Sequence, residues 1–503
     1  MSNWSVLAVL AVTVATVIIG TFGVRIRRTT SDFLVASRTV TPVWNASAIG
    51  GEYLSAASFL GIAGLVLAYG VDMLWFPVGY TVGYLILLVL VAAPLRRSGS
   101  YTLPDFAEVR LGSPAVRRVS ALLVVLIGWL YLLPQFQGAG LTLSILTGAP
   151  TWVGGVVVAV VVGVTVIAGG MRSITFVQAF QYWLKLVAIA LPALLLIGFW
   201  YRDGSPVFTG DGWGVPLSGF GGRELPVYAT YSLVLATCLG TMGLPHVLVR
   251  FYTNPDGRAA RRTTLVVLVL LSVFYVWPPV FGALGRVYAP DLVASGRADA
   301  VVLLLPSRVF GGPLGEALSA LVAAGAFAAF LSTASGLAVS VAGVLSQDVL
   351  RARSGRVRTW LGDGVRRFRI GTVVSVVVPF GLALVAGRLN LAETVAMAFA
   401  VSASTFCPLL LLGIWWRRLS VAGALACLVV GGGLALTAVT VTLAAGPFGG
   451  VAGALLAQPA AWTVPIAFAV AVAVSLATPR SVPRGTAATM VRLHAPEDLE
   501  LRR

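Results

Sequence analysis

Charge is scarce in this chain and lysine almost missing: 11% of its 503 residues are charged, and Lys185 is the single lysine among 35 basic residues. A soluble domain of this length needs a polar surface, which a composition 58% hydrophobic does not supply. Cysteine occurs three times, at Cys238, Cys407 and Cys427, each time inside an apolar stretch, which argues against a disulfide framework or a thiolate metal site. No nucleophile–base pair or metal-ligand cluster is visible, so an enzyme is not expected. The net charge of +17 does not imply nucleic acid, because the arginines lie in short clusters between apolar segments and not along one basic face.

The chain is rich in apolar runs. About thirteen are long enough to cross a bilayer, at approximately 4–24, 43–69, 72–95, 117–146, 152–170, 174–200, 228–250, 263–287, 314–348, 369–387, 392–416, 419–445 and 461–478. The first run lacks a preceding basic segment and is followed by Arg25, Arg27 and Arg28, so it reads as a retained span and not a cleaved signal. Arginine clusters recur at every second connection: Arg96/Arg97/Arg117/Arg118, Arg172, Arg250/Arg258/Arg261/Arg262, Arg351 to Arg369, Arg417/Arg418 and the C-terminal tail. The alternation predicts a multi-pass protein of the plasma (inner) membrane, with the N-terminus outside and the C-terminus in the cytoplasm. Residues 1–478 are expected to form one transmembrane domain, and 479–503 a cytoplasmic tail.

Two spans carry helix-weakening residues near their centres. The second, in "SAIGGEYLSAASFLG", has Gly50-Gly51 before Glu52; the seventh, "LVLATCLGTMGLPHVLVRF", has Gly240, Gly243 and Pro245. Exposed backbone at membrane depth survives where it lines a protein cavity. Spans two and seven are five apart and therefore antiparallel, the pattern of an inverted repeat whose broken helices hold substrate and ion near the midplane. Small residues also let helices pack closely, and the sequence permits either use of the glycines.

The segments "SAIGGEYLSAASFLGIAGL", "AGGMRSITFVQAFQ", "GTMGLPHVLVRFYTNPDGRAAR" and "AFLSTASGLAVSVAGVLSQDVL" resemble the sodium/solute symporter family, with closest similarity to its bacterial cation/acetate, monocarboxylate-transporting branch. The resemblance implies an all-α polytopic membrane protein with a leucine-transporter-like fold. Its inverted five-helix repeats would fall at about 43–200 and 228–416, with peripheral helices around them. It also implies a sodium site formed by the carbonyls of Gly51, Leu54 and Ala329 and the hydroxyls of Ser332 and Thr333, with Na⁺ as coupling ion and no organic cofactor. The chemistry is consistent, since Na⁺ takes oxygen ligands, unwinding at Gly50-Gly51 would free carbonyls, and Ala329, Ser332 and Thr333 share a helix face. Back-bonding of the two hydroxyls to their own helix is the competing use.

Ser55 and Ser58, just past the break, could face ion or substrate, and Tyr53 could shape the cavity. Glu52 is a carboxylate at membrane depth, expected to be functional and either protonated or paired; the acetate branch usually has aspartate there. By the resemblance, Gln135 could donate to a substrate carboxylate or act as packing glue. Gln178 stands where many family members have aspartate, close to the ion's inward path, and Gln181 is a further polar candidate. His246 is expected to be a structural interfacial residue, and Asp348 a solvated carboxylate ending span nine. Lys185, midway along span six, admits three readings: a snorkelling side chain, an ion pair with Glu52, or an amine that takes the cation position.

The expected function is symport of sodium with a small organic anion of the acetate, propionate or pyruvate class, by alternating access across the lipid bilayer. The alternatives are a proton-coupled monocarboxylate transporter using Lys185 and Glu52, or a transporter-like sensor. The short segment after span thirteen is too small for an output domain, which weighs against the sensor.

Overall fold

The computed structural model describes residues 3–22, 41–208, 213–217, 224–349, 364–386, 390–445 and 449–496. The clusters at Arg25–Arg28 and Arg351–Arg358 lie outside the described residues. Among the described residues twelve helices are long and apolar enough to cross a membrane, thirteen when one bent pair is taken as a span. The first half comprises α1 (Asn3–Phe22), the bent pair α2 (Pro42–Tyr53) and α3 (Ala57–Tyr69), α4 (Val71–Arg97), α5 (Pro114–Thr147), α6 (Thr151–Gly169) and α7 (Ser173–Arg202). The second comprises α8 (Pro226–Thr241) and α9 (Pro245–Val249), α10 (Gly257–Tyr288), α11 (Gly312–Val349), α12 (Gly364–Val385), α13 (Leu391–Trp415), α14 (Val421–Ala445) and α15 (Ala460–Ala477). Each half thus contains a broken helix, α2/α3 with a 69° bend and α8/α9 with a non-helical step at 242–244.

Side-chain contacts gather the basic connections at one end of the bundle. Arg96 Nε donates to the Asn254 carbonyl at 2.5 Å, Arg97 to the His494 carbonyl, Arg110 to the Gly413 and Trp416 carbonyls, and Arg117 to Asp348. The arginine-poor connections meet elsewhere: Trp213 donates to the Val66 carbonyl, Tyr288 to Asp203, and Asn390 to Asp299. The segment expected as a cytoplasmic tail folds back on the bundle over its described part. Thr486–His494 is a helix with Met490 and Leu493 buried, and Thr486 accepts from Arg110. Asp348 is likewise not the solvated carboxylate expected: its side chain is buried against Arg117, which also pairs with Asp105 and Glu108.

α11 packs against the Thr151–Arg202 helical run more extensively than any other pair of elements, and Leu318–Val344 is almost wholly buried. Its alanines, glycines and serines allow this approach where larger side chains would separate the backbones. A Cβ on Gly325 would lie 2.4 Å from the Cβ of Ala188, and one on Gly336 would fall 2.1 Å from the Glu52 carboxylate.

The same packing corrects the expected position of the break. Gly50 and Gly51 are helical, and α2 continues to Tyr53 before the chain unwinds at Leu54–Ser55. The glycine pair serves proximity: a Cβ on Gly51 would stand 2.1 Å from the Gln178 carbonyl oxygen, and one on Gly50 2.9 Å from the Tyr182 ring. Because the Gly51 contact is with backbone, neither side can yield by rotating a side chain. Gly51→Ala is therefore expected to lower stability by about 1–3 kcal/mol or more by overpacking α2 on α7. Thermal unfolding of the purified variant checks this, with Gly163→Ala, at a position with open space around it, as the neutral comparison.

Candidate functional site

A helix that stops inside a membrane leaves its last carbonyls without amide donors. The Gly50 carbonyl still receives the Leu54 N–H at 3.0 Å, but those of Gly51, Glu52 and Leu54 need other partners. Thr333 Oγ1 on α11 donates to the Glu52 carbonyl at 2.6 Å. Lys185 Nζ on α7 donates to the Gly51 carbonyl, to the Leu54 carbonyl at 2.8 Å and to Ser332 Oγ at 2.9 Å. Ser332 Oγ in turn donates to the Ala329 carbonyl at 3.1 Å, so it uses its hydrogen on its own helix and a lone pair on the lysine. On the far side of the break, Gln135 Oε1 accepts the Ala56 N–H at 3.0 Å, while its Nε2 donates to the Tyr131 carbonyl. Gln135 thus holds the unwound backbone through Oε1, while Nε2 is engaged with its own helix.

Of the five oxygens expected around a cation, those of Gly51, Leu54 and Ser332 meet at the fully buried Lys185 amine, and the Ala329 carbonyl accepts from Ser332 Oγ. Lys185 makes its three contacts with neutral oxygens. It does not snorkel, and it is not the hydrogen-bonded partner of Glu52.

That partner is Arg250, whose Nε donates to Glu52 Oε2 at 2.8 Å with both side chains buried. Arg250 also donates to Thr175 Oγ1 at 2.7 Å and to Gln178 Oε1, and Gln178 Nε2 donates to the Ser332 carbonyl at 2.8 Å. One connected network thus joins the end of α9, the break of α2, α7 and α11. In the sequence Arg250 reads only as one of a basic cluster at a span end. Its buried role becomes visible once the break of α8/α9 turns it inward.

Above the break lies an aromatic cluster that the sequence left largely unassigned. Tyr53 packs edge-on against Tyr84 at 4.8 Å and near Tyr80 at 5.9 Å, and its hydroxyl lies 3.0 Å from Thr241 Oγ1. Phe399 adjoins Tyr80 and Tyr131, and Tyr131 meets the His246 ring at 5.1 Å. Ser58 Oγ lies 3.0 Å from the Tyr275 hydroxyl. The Tyr80 and Tyr84 hydroxyls and both His246 ring nitrogens are buried and make no hydrogen bond to any described residue, and the buried Ser55 hydroxyl adjoins that of Tyr131. Such a density of unengaged polar atoms is unusual in a protein interior. His246 is thus fully buried within this cluster and not at an interface. The repeat "GYTVGY", with tyrosines four apart on one helix face, was the available signal for Tyr80 and Tyr84. Gln181 lies apart from the site, since its Nε2 donates to Thr16 on the peripheral α1 at 2.9 Å.

At the end opposite the basic connections a cavity of about 770 Å³ is lined by Tyr69, Phe136, Trp152, Arg297, Asp299 and Asn390, among others. Asp299 sits between α10 and α11 and accepts from the Asn390 side chain and from the Leu391 N–H at 3.2 Å. Burial pushes its carboxyl up to about 7, with the nearby Glu393 adding to the rise and the two hydrogen bonds opposing it.

A bundle of paired broken helices around a buried charge network is the architecture of a secondary transporter with the leucine-transporter-like fold. The chain belongs to the sodium:solute symporter family, whose model matches residues 33–202 and 221–431. It is 33% identical over 431 residues to the uncharacterized symporter YwcA of Bacillus subtilis, covering 84% of this chain and 83% of that protein. It is 32% identical over 457 residues to a monocarboxylic acid transporter of Corynebacterium glutamicum, with coverage of 85% and 81%. Among solved structures it is similar to a Na⁺-coupled sialic acid symporter, at a TM-score of 0.70 and 14% identity over 94% of this chain and 98% of that one. It is also similar to a nucleobase-cation-symport-1 family transporter, at a TM-score of 0.54 and 16% identity over 92% and 99%. The protein is a multi-pass membrane transporter and not an enzyme.

The raised Asp299 carboxyl has a stability consequence of defined sign. The folded state binds its proton more tightly than the unfolded chain, so this contribution is complete below about pH 4 and is lost as pH rises through about 7. Asp299→Asn should flatten that loss, so that the variant compares better with the wild type at pH 8 than at pH 5. Raising a carboxyl by one pH unit corresponds to about 1.4 kcal/mol. Melting temperatures of both proteins across this range provide the check.

Proposed function

We propose that the protein is a secondary active symporter that moves a small monocarboxylate of the acetate, propionate or pyruvate class into the cell by alternating access. The observation that carries this reading is the set of unengaged polar groups of Tyr80, Tyr84 and His246 beside the break of α2, with the Ser55–Tyr131 hydroxyl pair next to them. A carboxylate accepts up to about four hydrogen bonds, and the serine and tyrosine hydroxyls are donors of the kind it needs. The surrounding Phe399 and tyrosine rings suit a short apolar tail. Charge points the same way. Glu52 is opposed by two cationic side chains, Arg250 and Lys185, and an excess positive charge in a membrane interior favours an anion. The name of the Corynebacterium relative agrees with this substrate class.

Alternation of the arginine clusters places the basic end in the cytoplasm. The Asp299 cavity is then an outer vestibule and the Arg117–Asp348 network lies at the inner face. The description of the family names sodium as the coupled ion, and in this chain three of the oxygens expected to bind it, those of Gly51, Leu54 and Ser332, are held by the Lys185 amine.

Counterflow of labelled acetate, propionate and pyruvate in proteoliposomes tests the substrate class. Loss of one hydrogen bond worth about 1 kcal/mol raises KM roughly fivefold. Ser55→Ala and Tyr84→Phe are each expected to do this while the protein remains folded. Unchanged KM in both variants, or absence of counterflow with all three acids in the wild type, would remove this reading. A cysteine at Asp291 should react with an impermeant reagent in intact cells, and one at Arg258 only in inside-out membrane vesicles.

A further inference from the structure

We infer that in this chain the ammonium of Lys185 is the resident cation of the helix-break site, so that the site takes no Na⁺ while the lysine is in place. The inference rests on the transporter reading above but concerns only which cation the site holds.

Three observations carry it. Lys185 Nζ has three hydrogens and three acceptors, the Gly51 and Leu54 carbonyls and Ser332 Oγ, so its donor capacity is filled. Every acceptor belongs to a neutral group, the kind of oxygen shell a hard monovalent ion would otherwise collect. The remaining two oxygens of the expected set are engaged elsewhere, the Ala329 carbonyl with Ser332 Oγ and Thr333 Oγ1 with the Glu52 carbonyl. A sodium ion in this shell would sit within the volume of the amine and share its charge sign.

The choice of residue is informative. The chain otherwise uses arginine for its basic positions, and Lys185 is its single lysine. A guanidinium is a flat fork too wide to replace a point ion, whereas an ammonium is compact and approximates one. The position also explains why the amine is tolerated without a carboxylate in hydrogen-bond contact. Glu52 is committed to Arg250 at 2.8 Å, and the end of α2, the unwound Leu54 and Ser332 on α11 supply the oxygens that stabilise the buried charge.

The test is binding of ²²Na⁺ to the purified full-length protein, with Lys185→Ala and Lys185→Ala/Ser332→Ala alongside and folding checked by gel filtration and melting. The wild type is expected to show no saturable Na⁺ binding and the same melting temperature in sodium and choline chloride. Lys185→Ala, which removes the amine and leaves its oxygens, is expected to gain saturable Na⁺ binding at least tenfold above wild type. The added Ser332→Ala should abolish that gain. Saturable binding to the wild type that Ser332→Ala removes would overturn the inference, and so would a folded Lys185→Ala protein that binds no Na⁺. If Lys185→Ala does not fold, the wild-type binding and melting measurements decide by themselves.

Uptake separates this inference from the proposed function. Monocarboxylate uptake that proceeds equally in sodium and choline media, at fixed pH gradient and membrane potential, supports both. Uptake that requires sodium overturns the inference and leaves the substrate reading intact. Absence of monocarboxylate uptake together with the expected Na⁺ binding pattern overturns the substrate reading and supports the inference.

Discussion

The organisation of this protein follows from one constraint: α2 ends in the middle of a bundle that crosses a membrane, and its terminal carbonyls have no water to turn to. An unsatisfied backbone group in such surroundings costs several kcal/mol. The neighbouring helices supply what the missing turn would have supplied. Thr333 and Lys185 take the freed carbonyls, and Gln135 takes the Ala56 amide. These side chains come from α11, α7 and α5, so a local defect in one helix fixes the relative positions of three others. Close packing is the condition for this arrangement. It is met by Gly51 against Gln178, and by Gly336, which leaves space for the Glu52 carboxylate.

Charge is placed by the same economy. Buried ions are tolerated when they are paired or well solvated by protein dipoles. Arg250 meets both conditions through Glu52, Gln178 and Thr175. Lys185 meets the second through backbone carbonyls and a hydroxyl. The two cations differ in kind: Arg250 braces a network that connects four helix segments, whereas Lys185 occupies one compact oxygen shell. Removing one partner from either group would leave an uncompensated charge in a low-dielectric interior. That is why the surrounding residues form a continuous network and not isolated pairs.

The aromatic cluster follows a different rule. Its tyrosines pack as apolar bodies, while the hydroxyls of Tyr80 and Tyr84 and the His246 ring nitrogens make no hydrogen bond to any described residue. Interiors normally satisfy such groups. Their accumulation beside the interrupted backbone of the first repeat is the feature on which the proposed substrate site rests. At the matching break of α8/α9, Ser402 and Thr241 are engaged with the Gly240 carbonyl and the Tyr53 hydroxyl, while His246 on α9 belongs to the unengaged set.

The number of spans, the alternation of basic connections and the two interrupted helices were legible in the sequence, because each depends on composition over a stretch or on the chain's own backbone. Apolar runs must be about as long as the bilayer is thick, and glycine or proline weakens a helix whatever surrounds it. The tertiary structure decided which atoms meet. Gly50-Gly51 was expected to be the unwound point, but those glycines are contact points for α7, and the chain unwinds at Leu54–Ser55. Glu52 announced itself as a buried carboxylate, yet its partner, Arg250, is 198 residues away and reads in sequence as a membrane-edge arginine. Lys185 left three readings open, because one residue type can snorkel, pair or replace an ion. The choice depended on which oxygens lay within reach of its amine, and those oxygens come from helices distant in sequence.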